Sequence, residues 1–266
     1  MSAATRLTTT GSGVPLEWLV TGGGDPGTVF AHGLAGDIAG TRPLGSAVAG
    51  RRVFFHFRGH GRSGRPDPPW GYRELADDLR AVADLTGATR ALGVSLGAGA
   101  LCRLLAAQPA RFQRVVFFLP AALDTARPPA AARRLERLLA AVGAGDRAAV
   151  VDLLALDLPG PLRATPAAVD HLRRRADQLL ETGLAPQLAG LGAAVPVPDR
   201  AALAAVTVPA LVIGCVGDDL HPVPVAEQLA AALPTASLHV YDEPGVLWTA
   251  RADLRERISA FLNAPR

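Results

Sequence analysis

Short apolar or β-branched runs recur along the chain at Leu16 to Val20, Thr28 to Ala31, Arg52 to Phe57, Arg90 to Val94, Val115 to Leu119, Ala210 to Val216 and Ser237 to Tyr241. Several are apolar at every position rather than at every second one, the pattern of parallel strands buried on both faces. Helical spacing fills the intervals: Leu75, Leu79 and Val82, then the Ala/Leu-rich stretch after Leu96, then Pro224 to Leu233, and finally Leu254, Ile258 and Leu262. This alternation predicts an α/β fold with a mostly parallel, doubly wound sheet covered by helices on both sides.

The alternation lapses between about Ala121 and Ala205, where only helical spacing is found. Leu135, Leu138, Leu139 and Val142 fall on one stripe. Thr165 followed by Pro166 reads as a cap and a first-turn proline, after which Val169, Leu172, Ala176 and Leu179 make a second stripe. The expected division is therefore a core of residues 1–120 and 206–266, with residues 121–205 as a helical cap. In an open α/β sheet the ligand crevice lies at the carboxyl ends of the strands, so a cap there would shape the substrate pocket. Gly22, Gly23 and Gly24 precede a strand rather than opening a helix, which predicts a hairpin turn and no phosphate loop.

The 266 residues carry 27 Lys+Arg and 24 Asp+Glu, a formal charge of +3, and 49% are apolar. Every basic residue is Arg. The arginines are dispersed among nearly as many acids with no aromatic interleaving, so no nucleic-acid partner is expected. The longest uncharged stretch, between Arg200 and Asp218, is divided by Pro209 and is shorter than the roughly 20 residues of a membrane-spanning helix; it reads as a short helix and a buried strand. The first residues hold no apolar secretion-signal region, so a cytoplasmic location and no membrane partner are expected. Cys102 and Cys215 match no metal or redox spacing and read as small buried hydrophobes. No cofactor fingerprint or metal cluster is present, and oligomeric state is left open.

The chemistry-bearing motif is Gly93-Val94-Ser95-Leu96-Gly97, directly after one predicted strand and directly before a helix. A turn this tight needs small neighbours and lifts the serine hydroxyl above the sheet. His32-Gly33-Leu34-Ala35-Gly36 follows another strand, and the Leu34 and Leu96 N–H groups are the expected pair of oxyanion donors. With Phe57-Arg58-Gly59-His60-Gly61-Arg62-Ser63-Gly64 and Asp218-Asp219-Leu220-His221-Pro222, these segments resemble the α/β-hydrolase fold superfamily over nearly the whole chain. That resemblance implies Ser95 as nucleophile and Asp218, or less well Asp219, as the acid that orients a histidine.

The resemblance breaks after the last predicted strand, where Val246 of Glu243-Pro244-Gly245-Val246-Leu247-Trp248 stands in the histidine's place. A serine hydroxyl without a base is a poor nucleophile. Of the six histidines, His32 is expected to brace the oxyanion loop, His56 and His239 to be structural within strands, His60 to be structural or to line the pocket, and His171 to be solvated. His221 is the candidate replacement base, although three residues beyond the acid its ring need not lie between Asp218 and Ser95.

Three readings follow. The favoured one is non-hydrolytic proton transfer next to a carbonyl, with oxyanion donors holding an enolate and Asp218 pushed toward neutrality by an apolar wall at Val246. It would serve epimerisation or cyclisation of a small-molecule, peptide-like or polyketide-like substrate in specialised metabolism such as antibiotic biosynthesis. Superfamily members with defective triads act as cyclases or, in the bottromycin peptide pathway, as an epimerase, and this chain resembles them in the missing histidine. The second reading is a Ser95-dependent esterase, thioesterase or acyl transferase with His221 as displaced base; the third is a ligand-binding module without catalysis. Trp248, beside Val246, is expected with it to line the cleft, whereas Trp18 and Trp70 read as core.

Overall fold

The computed structural model of the chain describes residues 4–11, 13–67, 70–182, 190 and 193–265. Its strands are β1 (Arg6–Thr9), β2 (Pro15–Thr21), β3 (Gly27–Ala31), β4 (Arg51–Phe55), β5 (Arg90–Val94), β6 (Arg114–Phe118), β7 (Ala210–Cys215) and β8 (Ala236–Tyr241). They form one sheet in the order β1-β2-β4-β3-β5-β6-β7-β8. Only β2 runs antiparallel to its neighbours, β1 and β4. The helices are α1 (Ile38–Thr41), α2 (Tyr72–Thr86), α3 (Leu96–Ala107), α4 (Pro129–Gly143), α5 (Arg147–Ala155), α6 (Pro166–Thr182), α7 (Val223–Ala232), α8 (Val246–Thr249) and α9 (Arg251–Asn263).

Strand residues alternate between two apolar layers, because successive side chains of a strand leave opposite faces. Val29, Val53, Val115, Phe117 and Val212 point into the layer with Leu75 and Leu79 of α2, Leu101 and Leu105 of α3, and Leu229 of α7. Phe30, Phe54, Val116, Phe118, Leu211 and Ile213 point into the other, with Ile38 of α1 and Leu254, Ile258 and Leu262 of α9. Both faces are covered, so strands β3 and β7 are buried along their whole length and β5 is buried up to Val94, its last residue, which is half-buried.

Three details differ from the sequence reading. β1 is an additional edge strand, joined to β2 by a true hairpin in which Thr9 faces Pro15. The glycines at 22–24 do not make a hairpin, because β4 lies between β2 and β3 and pairs with both. The fourth strand ends at Phe55, so His56 lies just beyond it.

Between β6 and β7 the described residues form helices only. α4 presents Leu135, Leu138, Leu139 and Val142 as buried residues, and Leu172, Ala176 and Leu179 of α6 are buried, Val169 half so. A 3-10 turn at Arg200–Ala205 leads into β7, the short helix and strand that the uncharged stretch predicts. No helix among the described residues is long and apolar enough to cross a membrane.

The backbone at the start of α3 is packed tightly against β3 and β5. A Cβ on Gly97 would press into the Ala31 carbonyl oxygen, and one on Gly93 into that of Gly97. Helix α3 can thus follow β5 only if both residues are glycine. Gly97→Ala is expected to cost about 2 kcal/mol or more, as overpacking against fixed backbone does. Urea unfolding measures it, and a variant as stable as the parent would show that α3 moves freely off β3.

Candidate active site

The C-terminal ends of β3, β5 and β7 lie on one edge of the sheet, since these strands run parallel. β5 delivers Ser95, whose backbone is held at φ 50° and ψ −106° with its N–H donating to the Phe118 carbonyl at 2.9 Å. A non-glycine residue at positive φ costs on the order of 1–3 kcal/mol and persists only where the surroundings fix it. β3 delivers the loop starting at His32, and a Cβ on Gly33 would lie 3.4 Å from Ser95 Cβ. The loop that carries Leu34 therefore passes beside the serine. Among the described residues, Leu34 N–H meets no protein acceptor, and Leu96 N–H, at the first position of α3, precedes that helix's own hydrogen-bond ladder.

β7 delivers Asp218 and His221 in one turn. Asp218 Oδ1 accepts the N–H groups of Leu220 and His221 at 3.1 and 3.2 Å, and the Asp218 carbonyl accepts the His221 N–H at 3.2 Å. This folds the ring back, so His221 Nδ1–H donates to Asp218 Oδ2 at 2.8 Å. The other nitrogen, Nε2, then accepts from Ser95 Oγ–H at 2.8 Å. The ring does lie between acid and serine, the arrangement that sequence spacing left open. Asp219 points out to solvent.

Asp218 departs from expectation. Burial pushes its carboxyl up, but His221 and Arg134 outweigh burial and hold it below the usual aspartate value. An apolar wall does not neutralise it, because its oxygens are occupied by donors. Val246, the first residue of α8, is 3% exposed and packs with Phe118, Ile213 and Leu254 in the core layer. Trp248 packs on Leu158, Ala168 and Leu172 of the helical region, with its ring 5.3 Å from that of His171. His171 is therefore half-buried against an aromatic ring rather than solvated.

The brace expected of His32 is present, and two further histidines and an arginine support the site that were not read from the sequence. Beneath the oxyanion loop, three buried histidines each accept a backbone N–H on Nε2: His32 from Phe57, His56 from Ile38 and His60 from Ala35, all at 3.1 Å. Their Nδ1–H groups donate to Gly33 O, Glu17 Oε2 and Arg58 O. Above the site, Arg134 of α4 bonds Asp157 Oδ1 at 2.6 Å. Burial pushes the Asp157 carboxyl up against the pull of Arg134, with Asp218 adding to the rise. Cys102 and Cys215 are free and buried, as expected.

The family model for the alpha/beta hydrolase fold matches residues 29–245, and the chain belongs to that family. Its particular relatives include a protein of Variovorax paradoxus that bears the provisional name carbamate hydrolase RutD, 30% identical over an alignment of 246 residues that covers 87% of this chain and 89% of that protein. Among solved structures it is similar to an esterase from Exiguobacterium antarcticum, with TM-score 0.82, 18% identity and 98% and 100% of the two chains covered. An enol-lactonase from Burkholderia xenovorans matches with TM-score 0.76 and 21% identity over 97% and 100%.

The histidine braces carry a pH dependence. Burial drives the His60 imidazole down to about 4, and the His32 imidazole well below its usual value. The unfolded chain then binds more protons between the two His60 values, so stability is full above about pH 6.5 and falls as pH drops toward about 4. Between about pH 7 and about pH 5 this one group removes about 2 kcal/mol. Urea midpoints at the two pH values measure the loss, and His60→Gln is expected to flatten the dependence; equal slopes would overturn it.

Proposed function

We propose that the chain is a Ser95-dependent hydrolase or acyl transferase acting on a small ester-like carbonyl substrate, with His221 as its base. The observation that carries this reading is the His221 ring seated 2.8 Å from both Ser95 Oγ and Asp218 Oδ2. The proton-transfer reading rested on a vacancy at Val246 and a carboxylate near neutrality. Val246 is instead core, and Asp218 is held ionised. The esterase, enol-lactonase and carbamate hydrolase names of similar proteins agree with attack on a carboxyl-level carbonyl.

The steps follow from the geometry. His221 Nε2 takes the Ser95 proton as Oγ bonds to the carbonyl carbon, and the imidazolium formed is stabilised by Asp218. Negative charge moves to the carbonyl oxygen, where the Leu34 and Leu96 N–H groups receive it. As the tetrahedral centre collapses, the bond to the leaving oxygen, sulfur or nitrogen breaks and that atom takes the proton from Nε2. An incoming water or acceptor alcohol then gives its proton to His221 Nε2 and attacks the acyl–Ser95 carbonyl; as that centre collapses the bond to Oγ breaks and Ser95 takes the proton back from Nε2. Trp248 and helices α4, α5 and α6 bound the acyl side in this reading, as a cap.

A fluorophosphonate probe read by intact mass tests it. The parent protein is expected to gain a single adduct, Ser95→Ala none, and His221→Ala an adduct formed slower by about three orders of magnitude. A folded parent that stays unlabelled would overturn the reading. Deuterium uptake from D2O at carbon in a turned-over substrate would then support proton transfer, and tight ligand binding with no turnover the binding module.

A further inference from the structure

The oxyanion loop is a β-turn, Gly33 to Gly36, closed by the Gly36 N–H on the Gly33 carbonyl at 2.9 Å. Its third residue, Ala35, has φ 47°, at a position where glycine is the usual choice. An alanine there favours the alternative turn, reached by flipping the Leu34–Ala35 peptide. In the flipped turn the Leu34 carbonyl oxygen would replace the Ala35 N–H opposite His60 Nε2, setting two acceptors against each other. That blocks the flip from below.

From above, the hold comes from α6. Arg175 Nη1 donates to the Ala35 carbonyl at 2.6 Å and to Gln178 Oε1 at 3.2 Å. Gln178 Nε2 in turn donates to Asp37 Oδ2 at 2.7 Å, while Asp37 Oδ1 caps α1 through the Gly40 N–H. The Ala35 methyl is 3% exposed and packs among Leu138, Val142, Val150, Leu153 and Ala176. A glycine would relieve the backbone but leave that contact empty, so the strained residue ties the turn to the helices above it.

We propose that Arg175 is a positioning residue that fixes the oxyanion turn from the helical region, so that the turn carrying the Leu34 N–H keeps its place beside Ser95 only while α6 is seated. Its role in turnover rests on the Ser95 acyl-transfer reading; its hold on the turn does not. Release of α6 removes the Ala35 carbonyl's partner and the apolar lid on its methyl together, and the turn is free to relax. Closure over a substrate then completes the oxyanion site.

Hydrogen exchange and kinetics on the full-length protein separate these points. Arg175→Met is expected to raise exchange of the Ala35 amide by about tenfold or more, and to lower kcat on an activated ester by about tenfold with KM within about threefold. Arg175→Lys, which still donates, should recover much of both. Arg173→Met, altering an exposed residue of the same helix, should move neither. If Arg175→Met does not fold, Arg175→Gln, too short to reach Ala35, carries the same test. An unchanged Ala35 amide, or a raised KM with kcat intact, overturns the proposal. A parent protein that neither labels nor turns over overturns the Ser95 reading instead, and amide exchange alone then decides whether Arg175 holds the turn.

Discussion

Asp218 uses both carboxylate oxygens within its own turn, and the rest of the site is arranged around that constraint. Oδ1 takes two backbone N–H groups and thereby closes the turn; Oδ2 takes the imidazole N–H and fixes its tautomer. One buried charge so satisfied sets a loop conformation, a ring orientation and the acceptor offered to Ser95. The cost of burying the carboxylate is offset by these three donors and by the Arg134 charge, because a desolvated anion is tolerated only when its lone pairs are occupied.

Sheet spacing explains how a histidine on this loop reaches Ser95. Neighbouring strands lie about 4.8 Å apart, so β7 is about 10 Å from β5 and β8 about 14 Å. A histidine on the β7 loop has less distance to cover than one following β8. The displaced position therefore needs no lengthened loop, only a turn that doubles back. With that role filled, Val246 is free to be apolar, and α8 serves to seat Trp248 against Leu158 and Leu172.

The layers were legible because burial on both faces writes an unbroken apolar run into β7 and nearly unbroken ones into β3 and β5, and the elbow because two glycines are demanded by contacts with fixed carbonyl oxygens. The exposed edge strand β1 carries no such signal: Arg6, Leu7 and Thr9 are all exposed. The glycines at 22–24 misled for a topological reason, since nothing local records that β4 will insert between their strands. For His221 the signal was present in Asp218-Asp219-Leu220-His221-Pro222 as an Asp that can bond the N–H groups two and three residues on. What spacing could not supply was the direction of the ring, which depends on both oxygens being used at once.

The oxyanion loop was half legible for a related reason. His32 reads as a brace from its place in the motif, but its two companions come from elsewhere, His56 just after β4 and His60 from the Gly-rich loop. Their tautomers follow once the partners are known: a backbone N–H on Nε2 requires the proton on Nδ1, and each Nδ1 faces a carbonyl or carboxylate oxygen. Neutral imidazoles suit this place better than amides or lysines, being rigid two-ended connectors that add no charge beneath a site where negative charge must develop. Ala35 joins that rigid floor to the helices above, since its N–H belongs to His60 and its carbonyl to Arg175. Strain at φ 47° thus persists where two elements distant in sequence agree on a single peptide orientation, and that agreement holds in place the turn that follows Gly33, the residue set against the serine that β5 supplies.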